Sequence, residues 1–129
     1  MKSWPKIRKE ENSIAVEFAP AAEASKLHPI EIVLDFSEYG DVLGIEIINL
    51  VFEVGENALG IIKGSFPVDD KGMRYSYDEH SDAFYLRLQP GRSSRQRSVN
   101  GSIILDPVGQ IKELRAEWGT GTAGTRTGL

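Results

Sequence analysis

Apolar and polar residues alternate along most of this chain with a period of two, not the period of a helix. In SIAVEF, Ile14, Val16 and Phe18 share one side while Ala15 and Glu17 share the other; in DAFYLRL, Phe84, Leu86 and Leu88 oppose Ala83, Tyr85 and Arg87. Both segments predict strands with one face in a core. IEIVLDF (30–36) sets Ile30, Ile32, Leu34 and Phe36 on one side. It meets DVLGIEI (41–47) after Ser37-Glu38-Tyr39-Gly40, a short polar segment ending in glycine, which predicts a hairpin. IILD (103–106), the turn Pro107-Val108-Gly109-Gln110 and IKELRAEW (111–118) repeat the device. From Lys112 onward, Leu114, Ala116 and Trp118 are expected inward and Glu113, Arg115 and Glu117 outward. A helical reading also gathers Ile111, Leu114, Arg115 and Trp118 on one face, but the parallel with GIEI favours a strand.

The alternation fails in LGIEIINLVF (43–52). Ile45, Ile47 and Val51 would occupy one strand face and Ile48, Leu50 and Phe52 the other, so both faces need cover. Packing against the second half of the chain supplies that cover in one reading. In the other, Ile48, Leu50 and Phe52 form a surface that binds another chain. PAAEASKLH (20–28) opens on proline and is rich in alanine, which suits one or two helical turns. ENALGIIK (56–63) suits a short helix, SFPVDDKG (65–72) a linker with turn chemistry, and GTGTAGTRTGL (119–129) a disordered tail with little to bury.

Shifted by 70 residues, Ile14, Val16 and Phe18 fall on Phe84, Leu86 and Leu88, Asn12 on Asp82 and Pro20 on Pro90; at a shift of 71, Asp35 falls on Asp106. A period near half the chain describes one supersecondary unit written twice. The expected organisation is a first β repeat over 1–54, a bridge over 55–72, a second β repeat over 73–118 and the tail over 119–129, with the repeats forming one compact domain. The fold class is mainly β: two related antiparallel units packed with pseudo-two-fold symmetry, and at most two short helices.

Tyr77-Asp78, Asp82-Ala83 and Tyr85-Leu86-Arg87-Leu88, followed by an apolar strand closing on an aspartate, a glycine turn and GIEI, resemble the small bacterial family called domain of unknown function 2283. The second copy holds the opening of that pattern, while Glu113, Leu114 and Arg115 stand where Gly-Ile-Glu is expected. The first holds the ending, VLDFSEYGDVLGIEI (33–47), with Ile7-Arg8 and Asn12 in place of Tyr-Asp and Asp. The resemblance covers most of residues 7–118. It implies a compact β-rich unit, no established reaction, and a partner among small toxin-like proteins.

Composition narrows the classes. At 129 residues the chain can bury roughly two-thirds of its unfolded surface in one core. It has no cysteine, which removes disulfides, thiolate metal sites and cysteine nucleophiles and makes a reducing cytoplasm the expected location. Its apolar stretches are too short for a membrane span, and the charged start MKSWPKIRKEEN lacks the apolar core of a signal peptide. Net charge is −4, with a pI of about 5.2, so nucleic acid is a disfavoured partner.

Two groups of residues could carry function. Asp69, Asp70, Asp78, Glu79, His80 and Asp82 are the densest set of hard ligands, yet their spacing is not that of a calcium loop, and turn formation accounts for Asp78 and Asp82. Joined in space with Tyr77, Tyr85 and Arg87, the Asp78, His80 and Asp82 region would make a small-ligand or metal-binding enzyme. His28 and His80 are the only histidines, and Ser93 and Ser94 lack a nucleophile elbow. Arg92, Arg95 and Arg97 in GRSSRQRS (91–98) read as a solvated hairpin tip or as a patch for a phosphate or an acidic partner. With no assembled catalytic set, the favoured function is a non-enzymatic interaction or regulatory module meeting another protein through Ile48, Leu50, Phe52 and the three arginines, with no cofactor and no metal.

Overall fold

In the computed structural model, residues 5–20, 25–65 and 73–119 are described. Asp69, Asp70, the 66–72 part of the bridge and residues 120–129 of the expected tail lie outside them. Eight strands form: β1 (Lys6–Glu10), β2 (Ser13–Glu17), β3 (Lys26–Phe36), β4 (Val42–Ile48), β5 (Arg74–Asp78), β6 (Ala83–Arg87), β7 (Arg95–Leu105) and β8 (Ile111–Glu117). Two short helices, α1 (Leu50–Val54) and α2 (Gly60–Lys63), follow β4. The chain is therefore mainly β, and every strand pair is antiparallel.

All eight strands join one curled sheet in the order β1-β2-β8-β7-β3-β4-β6-β5. The alternation read from the sequence sets its inner face. Ile14, Val16 and Phe18 are buried at the β2 end of the strand order and Phe84, Leu86 and Leu88 at the β6 end, with Ile32, Leu34, Ile45, Ile47, Ile103 and Leu114 between them in one cluster. Leu50, Ala58 and Ile62, from α1, α2 and the segment joining them, belong to the same cluster. The core thus sits between the sheet and two helical turns.

Two halves contribute to this sheet in the same pattern. The long strands β3 and β7 pair along their whole length, from Lys26↔Leu105 to Phe36↔Arg95. β4 returns along β3 with an irregularity at Asp35/Phe36, and β8 returns along β7 with one at Ile104/Leu105. β8 then stands between β7 and β2, and β4 between β3 and β6, so each half's first hairpin pairs with the last strand of the other half. The halves are not two stacked units but one continuous ladder.

Three local expectations change. Lys26, Leu27 and His28 are strand and not helix, because eleven rungs of pairing with β7 outweigh an alanine-rich local preference. The run 43–52 is not one strand. β4 ends at Ile48, Asn49 turns into the left-handed region at φ 62°, and α1 begins at Leu50. Asparagine tolerates that conformation, so the break lies where the alternation fails. Asp35 is not the counterpart of Asp106. Asp35 lies within β3, one residue before its end, whereas Asp106 follows β7. The residue matching Asp106 is Ser37, which accepts the Tyr39 and Asp41 N–H groups as Asp106 accepts those of Val108 and Gln110. Each turn closes on a glycine of positive φ, Gly40 at 89° and Gly109 at 90°.

Candidate functional site

A polar cluster that links the two halves of the chain centres on Asp82, at the tip of the β5–β6 hairpin. The turn begins with Asp78, whose carboxylate accepts the His80 N–H at 3.0 Å. Asp82 follows at φ 55° and points its carboxylate away from its own turn, onto α1. One oxygen accepts the Val51 N–H at 2.8 Å and the Tyr77 hydroxyl at 2.6 Å; the other accepts the Phe52 N–H at 3.0 Å. Its carbonyl also accepts the Asn49 N–H at 2.8 Å. Asn49 makes no side-chain cap of its own, so a residue of the second half supplies the N-terminal cap of a helix in the first.

Electrostatics fix the protonation of this pair. Burial pushes the Asp82 carboxyl up, but the hydrogen bonds from Tyr77, Val51 and Phe52 outweigh it and hold the group below its ordinary value. The same hydrogen bond, with burial and the charges of Asp82, Glu79 and Asp78, pushes the Tyr77 phenol up to about 12. At neutral pH Asp82 is an anion filled by three donors, and Tyr77 is a committed donor. Among the described residues no three His, Asp or Glu side chains are grouped to hold a metal ion. His28 lies elsewhere, its Nε2 at 3.0 Å from Glu53 of α1.

Tyr85 and Arg87, the remaining residues of the sequence-derived ligand region, separate from this tip. Tyr77 pairs with Phe84 and lies beside the core, whereas Tyr85 and Arg87 alternate onto the outer face. Tyr85 crosses above Gly44, where a side chain would collide with its ring, and donates to the Asp35 carboxylate at 2.8 Å. Ser93 and Gln96 donate to the other Asp35 oxygen, each at 3.0 Å. Burial, then the hydrogen bond and charge of Asp35, push the Tyr85 phenol up to about 12, with Arg87 opposing. Sequence reading misses this cluster because its members come from β3, β6, the β6–β7 connection and the start of β7. The one signal it offered is Gly44, a glycine inside a strand that marks close approach by a neighbour.

Of the candidate interaction residues, Leu50 is removed. It is fully buried, because the turn at Asn49 folds α1 back over the core. Ile48 and Phe52, on either side of it, are 50% and 82% exposed. Arg92 lies in the β6–β7 connection and not in a hairpin tip, since β6 and β7 are not neighbours in the sheet. Arg95 and Arg97 belong to β7, with the Arg95 guanidinium 5.0 Å from the centre of the Phe36 ring. A shallow groove of about 330 Å³ lies away from all these residues, between Arg8, Glu10 and Ser13 on one side and Arg115 and Glu117 on the other. No family model, no curated protein and no solved structure matches this chain significantly.

Proposed function

We propose that this protein is a non-enzymatic interaction or regulatory module that meets another protein through the surface around Ile48 and Phe52. The observation that carries the reading is the display of Phe52. An aromatic ring is held in solvent on a helix of five residues, and the Phe52 and Val51 amides are fixed by Asp82. A rigid exposed aromatic is the kind of anchor that concentrates binding energy at an interface. The competing reading, an enzyme built on Asp78, His80 and Asp82, is weakened because Asp82 has its oxygens occupied and Tyr85 and Arg87 lie on another face. No helix among the described residues is long and apolar enough to cross a membrane. The absence of cysteine supports a cytoplasmic setting.

The likeness to domain of unknown function 2283 belongs to the same proposal, as does the origin of the chain as a tandem duplication with an approximate two-fold axis between β3 and β7. Two matched turns and two matched strand irregularities support it. Immobilised wild-type protein, Ile48→Lys and Phe52→Ser, exposed to lysate of the cells that make the chain, test the interaction reading. A protein retained by wild type and lost from both variants, whose urea midpoints match wild type, is the expected result. No retained protein, or equal retention by all three, refutes it.

A further inference from the structure

The two halves of the sheet differ in how they handle charge on the outer face. In the first hairpin and its neighbour, the row across the strands is Lys6↔Glu17↔Glu113. Arg115 and Arg8 close on Glu113 at 2.7 and 3.5 Å, and Arg8 also lies 3.9 Å from Glu17. That region neutralises itself. At the matching place in the other half the row is Arg74↔Arg87↔Gly44. Arginine stands where Glu17 does, and glycine where Glu113 does.

Like charges directly opposite one another on neighbouring strands are destabilising. Among the described residues neither arginine has a carboxylate within salt-bridge distance. The next carboxylate along the row is Asp35, which pairs with Gly44 and whose oxygens are taken by Tyr85, Ser93 and Gln96. Glu46, one rung away opposite Tyr85, makes no ion pair among the described residues either. Arg74 is exposed and Arg87 half-buried, so both can meet a ligand from outside.

We propose that the outer face around Arg74 and Arg87 is an oxyanion-binding surface that takes an acidic peptide segment of a partner protein. The inference rests on the interaction reading above and adds the chemistry of the partner. Guanidinium groups match carboxylates in bidentate geometry. The two arginines stand side by side on adjacent antiparallel strands, which suits an extended segment. The patch is also short. Glu38 and Asp41 lie in the β3–β4 turn at the same end of the sheet, and the whole chain is acidic, so a few carboxylates are accommodated where a long phosphate backbone would be repelled.

The test uses the full chain and a fluorescently labelled Glu- and Asp-rich peptide at physiological salt, with an oligonucleotide of equal charge and inorganic phosphate as comparison probes. Arg74→Gln and Arg87→Gln are each expected to weaken peptide binding roughly tenfold. Lys63→Gln, an exposed change of equal charge at the end of α2, should leave it within about twofold. Because each arginine variant relieves a like-charge pair, its urea midpoint without peptide should not fall below wild type. Absence of peptide binding, equal binding by the arginine variants, or tighter binding of the oligonucleotide would each overturn the proposal. Binding of phosphate with none of the peptide would also overturn it. If the peptide fails while Phe52→Ser still loses its captured partner, the interaction reading stands and only the acidic partner is lost.

Discussion

Asp82 joins the two halves of the chain through one carboxylate, and replacing it separates two physical effects. An alanine removes the acceptor of the Val51 and Phe52 N–H groups and places a β-carbon at φ 55° without the local bonding that lets aspartate adopt it. Loss of a helix cap costs about 1–2 kcal/mol, and a left-handed residue other than glycine, asparagine or aspartate costs about 1–2 kcal/mol more. Asp82→Ala should therefore lower stability by about 2–4 kcal/mol. Asp82→Gly keeps the cap loss but not the backbone cost and should lose about 1–2 kcal/mol. Asp82→Asn retains an acceptor and the backbone tolerance and should lose least. Urea unfolding followed by the fluorescence of Trp118, whose ring packs edge-on against Phe36 at 5.6 Å, gives the free energies. Amide exchange at Val51 and Phe52 reports the cap directly. The carboxyl is held below its ordinary value of 3.8 in the fold, so its contribution is present above that pH and lost as pH falls through the lower folded value. The acid limb of stability should accordingly flatten in Asp82→Asn. An Asp82→Ala protein within about 0.5 kcal/mol of wild type, with unchanged protection at Val51 and Phe52, would refute the assignment of Asp82 as the cap of α1.

Two further outcomes follow from the core and the outer face. A β-carbon on Gly101 would run into the Ile32 side chain and lie 2.8 Å from the Arg115 carbonyl oxygen, so Gly101→Ala should cost about 1–3 kcal/mol in urea unfolding; a neutral effect would mean β7 sits less tightly between β3 and β8. The Tyr85 phenol is raised from 10.0 to about 12 in the fold, so its contribution is complete below pH 10 and lost as pH rises through 12. Tyr85→Phe should flatten that alkaline limb and, at neutral pH, cost about 1–3 kcal/mol by leaving Asp35 short of a donor; an unchanged alkaline limb would exclude Tyr85 as its source.

Where local pattern alone determines structure, the sequence was sufficient. Ile14, Val16 and Phe18, and likewise Phe84, Leu86 and Leu88, alternate over segments long enough to have only one sensible burial face, and all six lie in the core. At 111–118 the pattern allowed a helical face beside the alternation, and pairing with β2 and β7 makes Ile111–Glu117 a strand, while only Gly60–Lys63 of the 56–63 segment is helix. The glycine turns at 40 and 109 were legible from residue type. The sequence did not reveal where its segments would find their partners. Lys26–His28 and Arg95–Arg97 look helical or solvated in isolation and become strand at the two ends of the β3–β7 ladder, the first against Ile103–Leu105 and the second against Leu34–Phe36. Leu50 and Phe52 are near neighbours in one apolar run. Asp82, thirty residues away, fixes the turn that buries the first and exposes the second. Asp35 becomes a hub because Tyr85, Ser93 and Gln96 reach it from two other segments. Side-chain periodicity is a property of a few adjacent residues and is written in the chain; strand order, caps donated across the fold and the pairing or isolation of charges depend on long-range contacts, and only the tertiary structure decides them.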